Sequence, residues 1–210
     1  MRVVGTAGPV VVLLPGGSDA AEGFAPRLVE GLVADPCCRV VLWDRPRGGR
    51  LTEAPTALHR MLGEHDLGPA VLVGQSLGGA VAAMTACAFP DDVAGLVLLD
   101  PTPVNDTVEA LQIEGLATVA AIRGSRGLRR VVRGLARAAV AFDESRLPTV
   151  PAVVVAADRD AGERMHRAHV RLAARLDAPL LQWPGAEHGV HLSHPEQVLA
   201  AARDVVRRVG

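Results

Sequence analysis

The feature that most limits how this chain can fold is a set of short apolar runs without polar alternation. They are Val10–Leu14, Arg39–Trp43, Ala70–Val73, Leu96–Leu99 and Ala152–Ala156. Each is rich in β-branched residues, about strand length, and has turn or breaker residues nearby. A strand with one wet face alternates apolar and polar residues. These runs do not, so both faces are expected to be buried, as in a parallel sheet covered by helices. Leu180–Trp183 and the short Met1–Val4 are further strand candidates. Helical patterns lie between them, at about Glu22–Asp35, Thr52–Asp66, Leu77–Phe89, Ala161–Asp177 and Pro195–Val209. Asp160 and Pro195 supply start signals for the last two. The alternation predicts an α/β domain with a doubly wound, mostly parallel sheet.

One stretch breaks the alternation. Residues 102–148 are bracketed by Pro101 and Pro103 at one end and by Pro148 and Pro151 at the other. Val104–Ile122 and Gly127–Phe142 within it look helical. The stretch is too long for a structureless loop inside a domain. It reads as a short helical cap inserted between two strands, with residues 1–101 and 149–210 as the core. A chain of 210 residues is large enough to bury roughly 70% of its unfolded surface without covalent staples.

Composition narrows the chemistry. The net charge of −1 gives no electrostatic footprint for wholesale nucleic-acid binding. All 22 basic residues are Arg, and Lys is absent. That excludes a P-loop, a Schiff-base lysine and a protein-kinase site, each of which needs an ammonium group. The absence of Tyr removes tyrosine acid–base chemistry. Cys37, Cys38 and Cys87 show no Cys-x-x-Cys or Cys/His zinc spacing, and an odd count gives no disulfide framework. They are expected to be buried or half-buried thiols in a reducing compartment. No signal-peptide pattern and no membrane span is read, so a cytoplasmic location is expected. No paired acidic motif or His cluster suggests a metal.

The sharpest motif is Gly74-Gln75-Ser76-Leu77-Gly78-Gly79, between the run AVLV and a helical pattern. A nucleophilic hydroxyl needs such a place: a sharp strand-to-helix turn in a strained backbone, at a helix N-terminus that favours developing negative charge. Flanking glycines let neighbouring elements approach without a Cβ. A dinucleotide fingerprint would need Gly where Ser76 stands.

With these residues in view, the chain resembles the α/β-hydrolase superfamily over nearly its whole length except the cap. Leu13-Leu14-Pro15-Gly16-Gly17 looks like the family's oxyanion loop, and Asp44-Arg45-Pro46-Arg47-Gly48-Gly49 is similar to its Asp-Arg-Pro-Gly-x-Gly stretch. Val97–Pro101 resembles the strand before the cap, Ala156–Asp160 the acid-bearing turn, and Pro184-Gly185-Ala186-Glu187-His188 the histidine loop. The order Ser, Asp, His is the one that fold uses. The resemblance implies Ser76 as nucleophile, His188 as base, and the N–H groups of Gly17 and Leu77 as oxyanion hole. His191 and His194 lie nearby in sequence, with a surface or supporting role expected. His59, His65, His166 and His169 sit in helical patterns, where solvated or half-buried positions are expected. For the acid, Asp160 matches the family turn best, with Asp158 and Asp100 as alternatives. Pro15 stands where the family often has His, and Arg47 where it has Gly. Arg45 or Arg47 is expected to form a structural ion pair, with anion binding as the alternative.

The cap segment carries Arg123, Arg126, Arg129, Arg130, Arg133 and Arg137. Their spacing suits a solvated helix face, or attraction of an acidic substrate, a phosphopantetheine or CoA group, or an acidic carrier protein. Leu111, Ile113, Leu116, Val119, Leu128 and Phe142 are candidates for an acyl pocket wall or for packing. Trp43 and Phe24 are expected in the core. The resemblance implies a cofactor-free serine hydrolase acting on a small-molecule carboxylic ester or thioester through an acyl-enzyme. Carbon–carbon bond hydrolysis, haloperoxidase-like or lyase chemistry on the same residues, or a non-catalytic ligand-binding module, remain alternatives.

Overall fold

The apolar runs become the strands of a seven-stranded sheet in the computed structural model, which describes all residues except 18, 19, 25, 47, 123–128, 130, 131, 161, 162 and 210. The strands are β1 (Arg2–Val4), β2 (Val10–Leu14), β3 (Arg39–Leu42), β4 (Ala70–Gln75), β5 (Val93–Leu99), β6 (Ala152–Ala156) and β7 (Leu180–Gln182). Their order is β1-β3-β2-β4-β5-β6-β7. Only β1 is antiparallel, pairing with β3, and the remaining pairs are parallel.

Side chains alternate between the sheet faces, and both faces are buried. Val12, Leu14, Leu72, Leu96, Leu98 and Val154 point into one cluster. Val11, Leu13, Val73, Val97, Val155 and their neighbours point into the other. The first face is covered by α2 (Ala54–Glu64), α3 (Leu77–Ala88) and α6 (Arg164–Arg175), and the second by α1 (Arg27–Ala34) and α8 (Pro195–Val209). This double burial is why the runs lack polar alternation.

Two helical patterns are shorter than the periodicity suggests. Glu22–Asp35 divides into a 3₁₀ turn at Ala21–Phe24 and helix α1, because Pro26 has no N–H to continue a ladder. Thr52–Asp66 divides into a 3₁₀ turn at Leu51–Glu53 and helix α2. The predicted start of the next-to-last helix at Ala161 lies outside the described residues, and α6 runs from Arg164. A four-residue helix, α7 (Val190–Ser193), precedes α8.

Between β5 and β6 the chain carries α4 (Thr107–Ile122) and α5 (Leu135–Ala141). Gly134, at φ 90°, sets the start of α5, so the described part of Gly127–Phe142 is not one helix. The Glu114 carboxylate of α4 accepts the N–H groups of Gly134 and Ala136 at 3.0 and 2.9 Å, which satisfies donors that a helix start leaves open. Leu135, Ala138 and Ala139 then pack into the first core. Cys38 and Cys87 are buried, whereas Cys37 is exposed, at φ 73° in the turn before β3.

Candidate active site

Sheet topology selects one end of the molecule. The chain passes from β2 outward to β3, then returns across β2 to β4. The loops after β2 and β4 therefore leave the sheet in opposite directions and open a crevice at its carboxyl edge. Ser76 follows β4 at this point.

The Ser76 turn is tight. Ser76 has φ 52° and ψ −119°, an uncommon conformation for a residue with a side chain. Backbone bonds hold it there: its N–H donates to the Leu99 carbonyl at 3.0 Å, and its carbonyl accepts the Thr102 N–H at 2.9 Å. The glycines on either side are required by space. A Cβ on Gly74 would stand 2.5 Å from the Gly78 carbonyl oxygen, and one on Gly78 would collide with the Leu14 carbonyl. Helix α3 can therefore sit hard against both its own strand and the end of β2. Leu77 opens that helix, where the first N–H groups have no intrahelical acceptor.

His188 comes to Ser76 from the far end of the sequence. Its Nε2 is 2.9 Å from Ser76 Oγ, and Thr102 Oγ1 lies 3.4 Å from the same hydroxyl. The histidine loop is fastened at two places. The Gln75 side-chain amide donates to the His188 carbonyl at 2.9 Å. The Asp158 carboxylate accepts the Gly185 N–H at 2.7 Å.

The carboxylate facing His188 Nδ1 belongs to Asp100, at 2.5 Å. The structure thus departs from the expectation of Asp160, which is exposed beyond β6 and whose backbone carbonyl caps the turn at Glu163. Asp158 braces the loop instead of the ring. The physical reason lies in the sheet. Asp100 directly follows β5, the immediate neighbour of β4, and its φ of 42° turns the chain there. The sequence signal was an acid directly after the wholly apolar run Leu96–Leu99.

Asp100 is completely buried. Burial alone would raise its pKa, but hydrogen bonds from His188 and from the Ala157 N–H, the Arg159 guanidinium and the nearby His169 ring outweigh it and hold the carboxyl below its ordinary value. An ionised carboxylate only accepts, so His188 donates through Nδ1–H. Nε2 then carries the lone pair that can accept the Ser76 hydroxyl proton. Arg159 contacts the Oδ2 atom that His188 uses. His169 is fully buried rather than solvated, and its Nε2–H donates to the Pro101 carbonyl at 2.8 Å. It fastens the segment that leaves Asp100, a role periodicity alone did not show.

The other expected residues fall as follows. Gly17 lies in the loop after β2. Arg45 forms no ion pair among the described residues; it donates to the Gly16 carbonyl at 3.2 Å. Arg47, Arg123, Arg126, Leu128 and Arg130 lie outside the described residues. Arg129, Arg133 and Arg137 are exposed. Leu111, Leu116 and Val119 face solvent, and Ile113 and Phe142 pack against the first core. Trp43 and Phe24 are buried, Phe24 against the His191 ring. His194 stacks on Trp183. His59 pairs with Asp92 at 2.7 Å. No group of metal-ligating side chains and no helix long and apolar enough to cross a membrane occurs among the described residues.

Comparison with known proteins agrees with this architecture. A sequence profile of the alpha/beta hydrolase family matches residues 11–202. Lipase LipV of Mycobacterium tuberculosis is 34% identical over 154 residues, which is 72% of this chain and 49% of the relative. The chain thus spans about half the length of that curated relative. Among solved structures, one assigned as the non-heme bromoperoxidase BpoC of M. tuberculosis superposes with a TM-score of 0.81 at 17% identity, covering 100% of this chain and 95% of the other. The esterase RhEst1 of Rhodococcus sp. superposes with a TM-score of 0.68 at 20% identity, covering 100% and 94%. These structural likenesses speak to the fold. With the profile spanning nearly the whole sequence, the chain belongs to the alpha/beta hydrolase family.

Proposed function

We propose that this hydrolase cleaves a carboxylic ester or thioester of a small molecule, with Ser76 as nucleophile, His188 as general base and Asp100 as the acid that orients it. One observation carries the reading: a hydroxyl, an imidazole and a buried carboxylate in series, at 2.9 and 2.5 Å. The esterase RhEst1 and the lipase LipV, each so named, lend support as ester-cleaving relatives on the same fold.

In the reaction, Ser76 Oγ bonds to the carbonyl carbon while its proton passes to His188 Nε2. The carbonyl electron pair moves to oxygen. The N–H groups of Leu77 and Gly17 are the proposed donors to that oxyanion, and each such donor is typically worth about 10²–10³ in rate. Collapse expels the alcohol or thiol, which takes the proton from His188. Water then attacks the acyl-serine, gives its proton to His188, and releases the acid as Ser76 recovers its hydrogen.

A fluorophosphonate probe and a series of p-nitrophenyl esters of graded acyl length test this. Wild type is expected to be labelled at Ser76 and to turn esters over. Ser76→Ala should lose labelling and at least about 10³-fold in kcat. Equal labelling of Ser76→Ala, or an unlabelled wild type, would remove the nucleophile assignment.

A further inference from the structure

A cavity of about 960 Å³ opens beside the loop after β2, with Gly16 and Gly17 on one side and the segment from Asp44 into α2 on the other. Ser76 and His188 do not line it, but Pro15 to Gly17 do, and the Pro15 carbonyl of that loop lies against Gly78 beside the Ser76 turn. Its chemistry is uneven. Arg45, Arg50 and Arg60 line it, and none of them forms a salt bridge among the described residues. Elsewhere on the molecule several guanidiniums do meet acids: Arg2 with Glu22, Arg171 with Asp106, Arg207 with Asp35. Asp44 and Glu53 share the wall, but each already accepts a backbone N–H, from Ala21 and Arg50 respectively. Arg45 is half-buried, and burial lowers its pKa with no acid to offset the cost. Its one hydrogen bond among the described residues goes to the Gly16 carbonyl at 3.2 Å. A planar guanidinium with five donors and one neutral acceptor is suited to receive an oxyanion.

We infer that this cavity is an anion subsite in which Arg45, with Arg50 and Arg60 at its rim, receives a carboxylate carried on the substrate away from the scissile carbonyl. Charge favours a carboxylate over a phosphate: among the described residues three guanidiniums against two carboxylates suit one negative charge, and Asp44 and Glu53 repel a dianion. Arg45 also holds the Gly16 carbonyl, so the bound anion and the glycine loop share one side chain. The reaction at Ser76 rests on the ester-cleaving reading above, whereas anion binding at Arg45 stands without it.

Two measurements separate these. Calorimetry with glutarate tests binding in the absence of turnover. Hydrolysis of mono-p-nitrophenyl glutarate against p-nitrophenyl valerate, a neutral acyl chain of equal length, tests selectivity. Wild type is expected to bind glutarate and to prefer the acidic ester by about tenfold or more in kcat/KM, the usual worth of a charge-assisted pair. Arg45→Gln should weaken glutarate binding about tenfold and bring the ester ratio close to one. Arg60→Gln, at the exposed rim, should lower the ratio by only about twofold to threefold, and it keeps the test open if Arg45→Gln does not fold. Glutarate binding through Arg45 with no ester turned over would sustain the subsite and end the ester reading. Turnover of both esters at equal efficiency, with no glutarate bound, would end the subsite and leave the ester reading intact.

Discussion

Three acids lie within reach of the histidine loop by sequence, and each does a different job. Asp100 takes the imidazole, Asp158 takes the Gly185 N–H, and Asp160 faces water. The distinction is testable by isosteric change. Asp100→Asn leaves an amide facing Nδ1, which stabilises neither the needed tautomer nor the imidazolium, and kcat on p-nitrophenyl esters should fall about 10³–10⁴-fold. Asp160→Asn should stay within about twofold, as for surface positions without partners. A large loss in Asp160→Asn with little in Asp100→Asn would reverse the assignment. Ser76 and the glycines around it were legible as residues because their motif is local, and His188 followed from the family resemblance. The choice of acid was not legible, because Asp100 follows one apolar run and Asp158 and Asp160 follow another, and the tertiary path of the histidine loop decides which of them the ring meets.

At the scale of the element, two helix glycines show how packing decides the meaning of a residue. Gly115 lies inside α4 with open space where a Cβ would sit. Gly115→Ala should stabilise the protein by about 0.5–1 kcal/mol, from backbone entropy and helix propensity. Gly78 is equally helical, but its Cβ would meet the Leu14 and Pro15 carbonyls. Gly78→Ala should instead cost about 1–3 kcal/mol, as overpacking does, because backbone rather than a side-chain tip must move. Chemical denaturation of the two variants checks both signs. Helix α3 explains why propensity is a weak guide here. It is buried on nearly every side, so it reads as continuously apolar with small residues rather than amphipathic. The helical patterns Glu22–Asp35 and Gly127–Phe142 run through Pro26 and Gly134, where the structure breaks them, and the start of α5 also depends on Glu114, twenty residues away in sequence from Gly134.

Across the whole molecule, buried titratable groups link stability to pH. His169 is held neutral mainly by burial, with Arg159 and His166 adding to the effect while the Pro101 hydrogen bond and Asp100 oppose it. Its folded pKa therefore lies below the ordinary 6.5. The unfolded chain binds the proton first, so this contribution is present above pH 6.5 and is lost as pH falls below it. Asp100, with its folded pKa below 3.8, adds stability above 3.8 that is lost as pH falls through the folded value. The denaturant midpoint of wild type should thus begin to fall below about pH 6.5. His169→Gln, which keeps a donor for the Pro101 carbonyl, should flatten the decline between neutral and mildly acidic pH. An unchanged slope would show that His169 does not titrate on unfolding. The sequence alone determined the parallel sheet buried on both faces and the Ser76 turn, because hydrophobic period and local turn chemistry are written in consecutive residues, while His188 was reached through the family resemblance. The tertiary structure decided which acid meets the ring, that His169 is sealed inside, and that Arg45 faces a cavity without an ion pair among the described residues. Those outcomes depend on which strands lie side by side and on what surrounds a charge, and neither is a property of neighbouring residues in the chain.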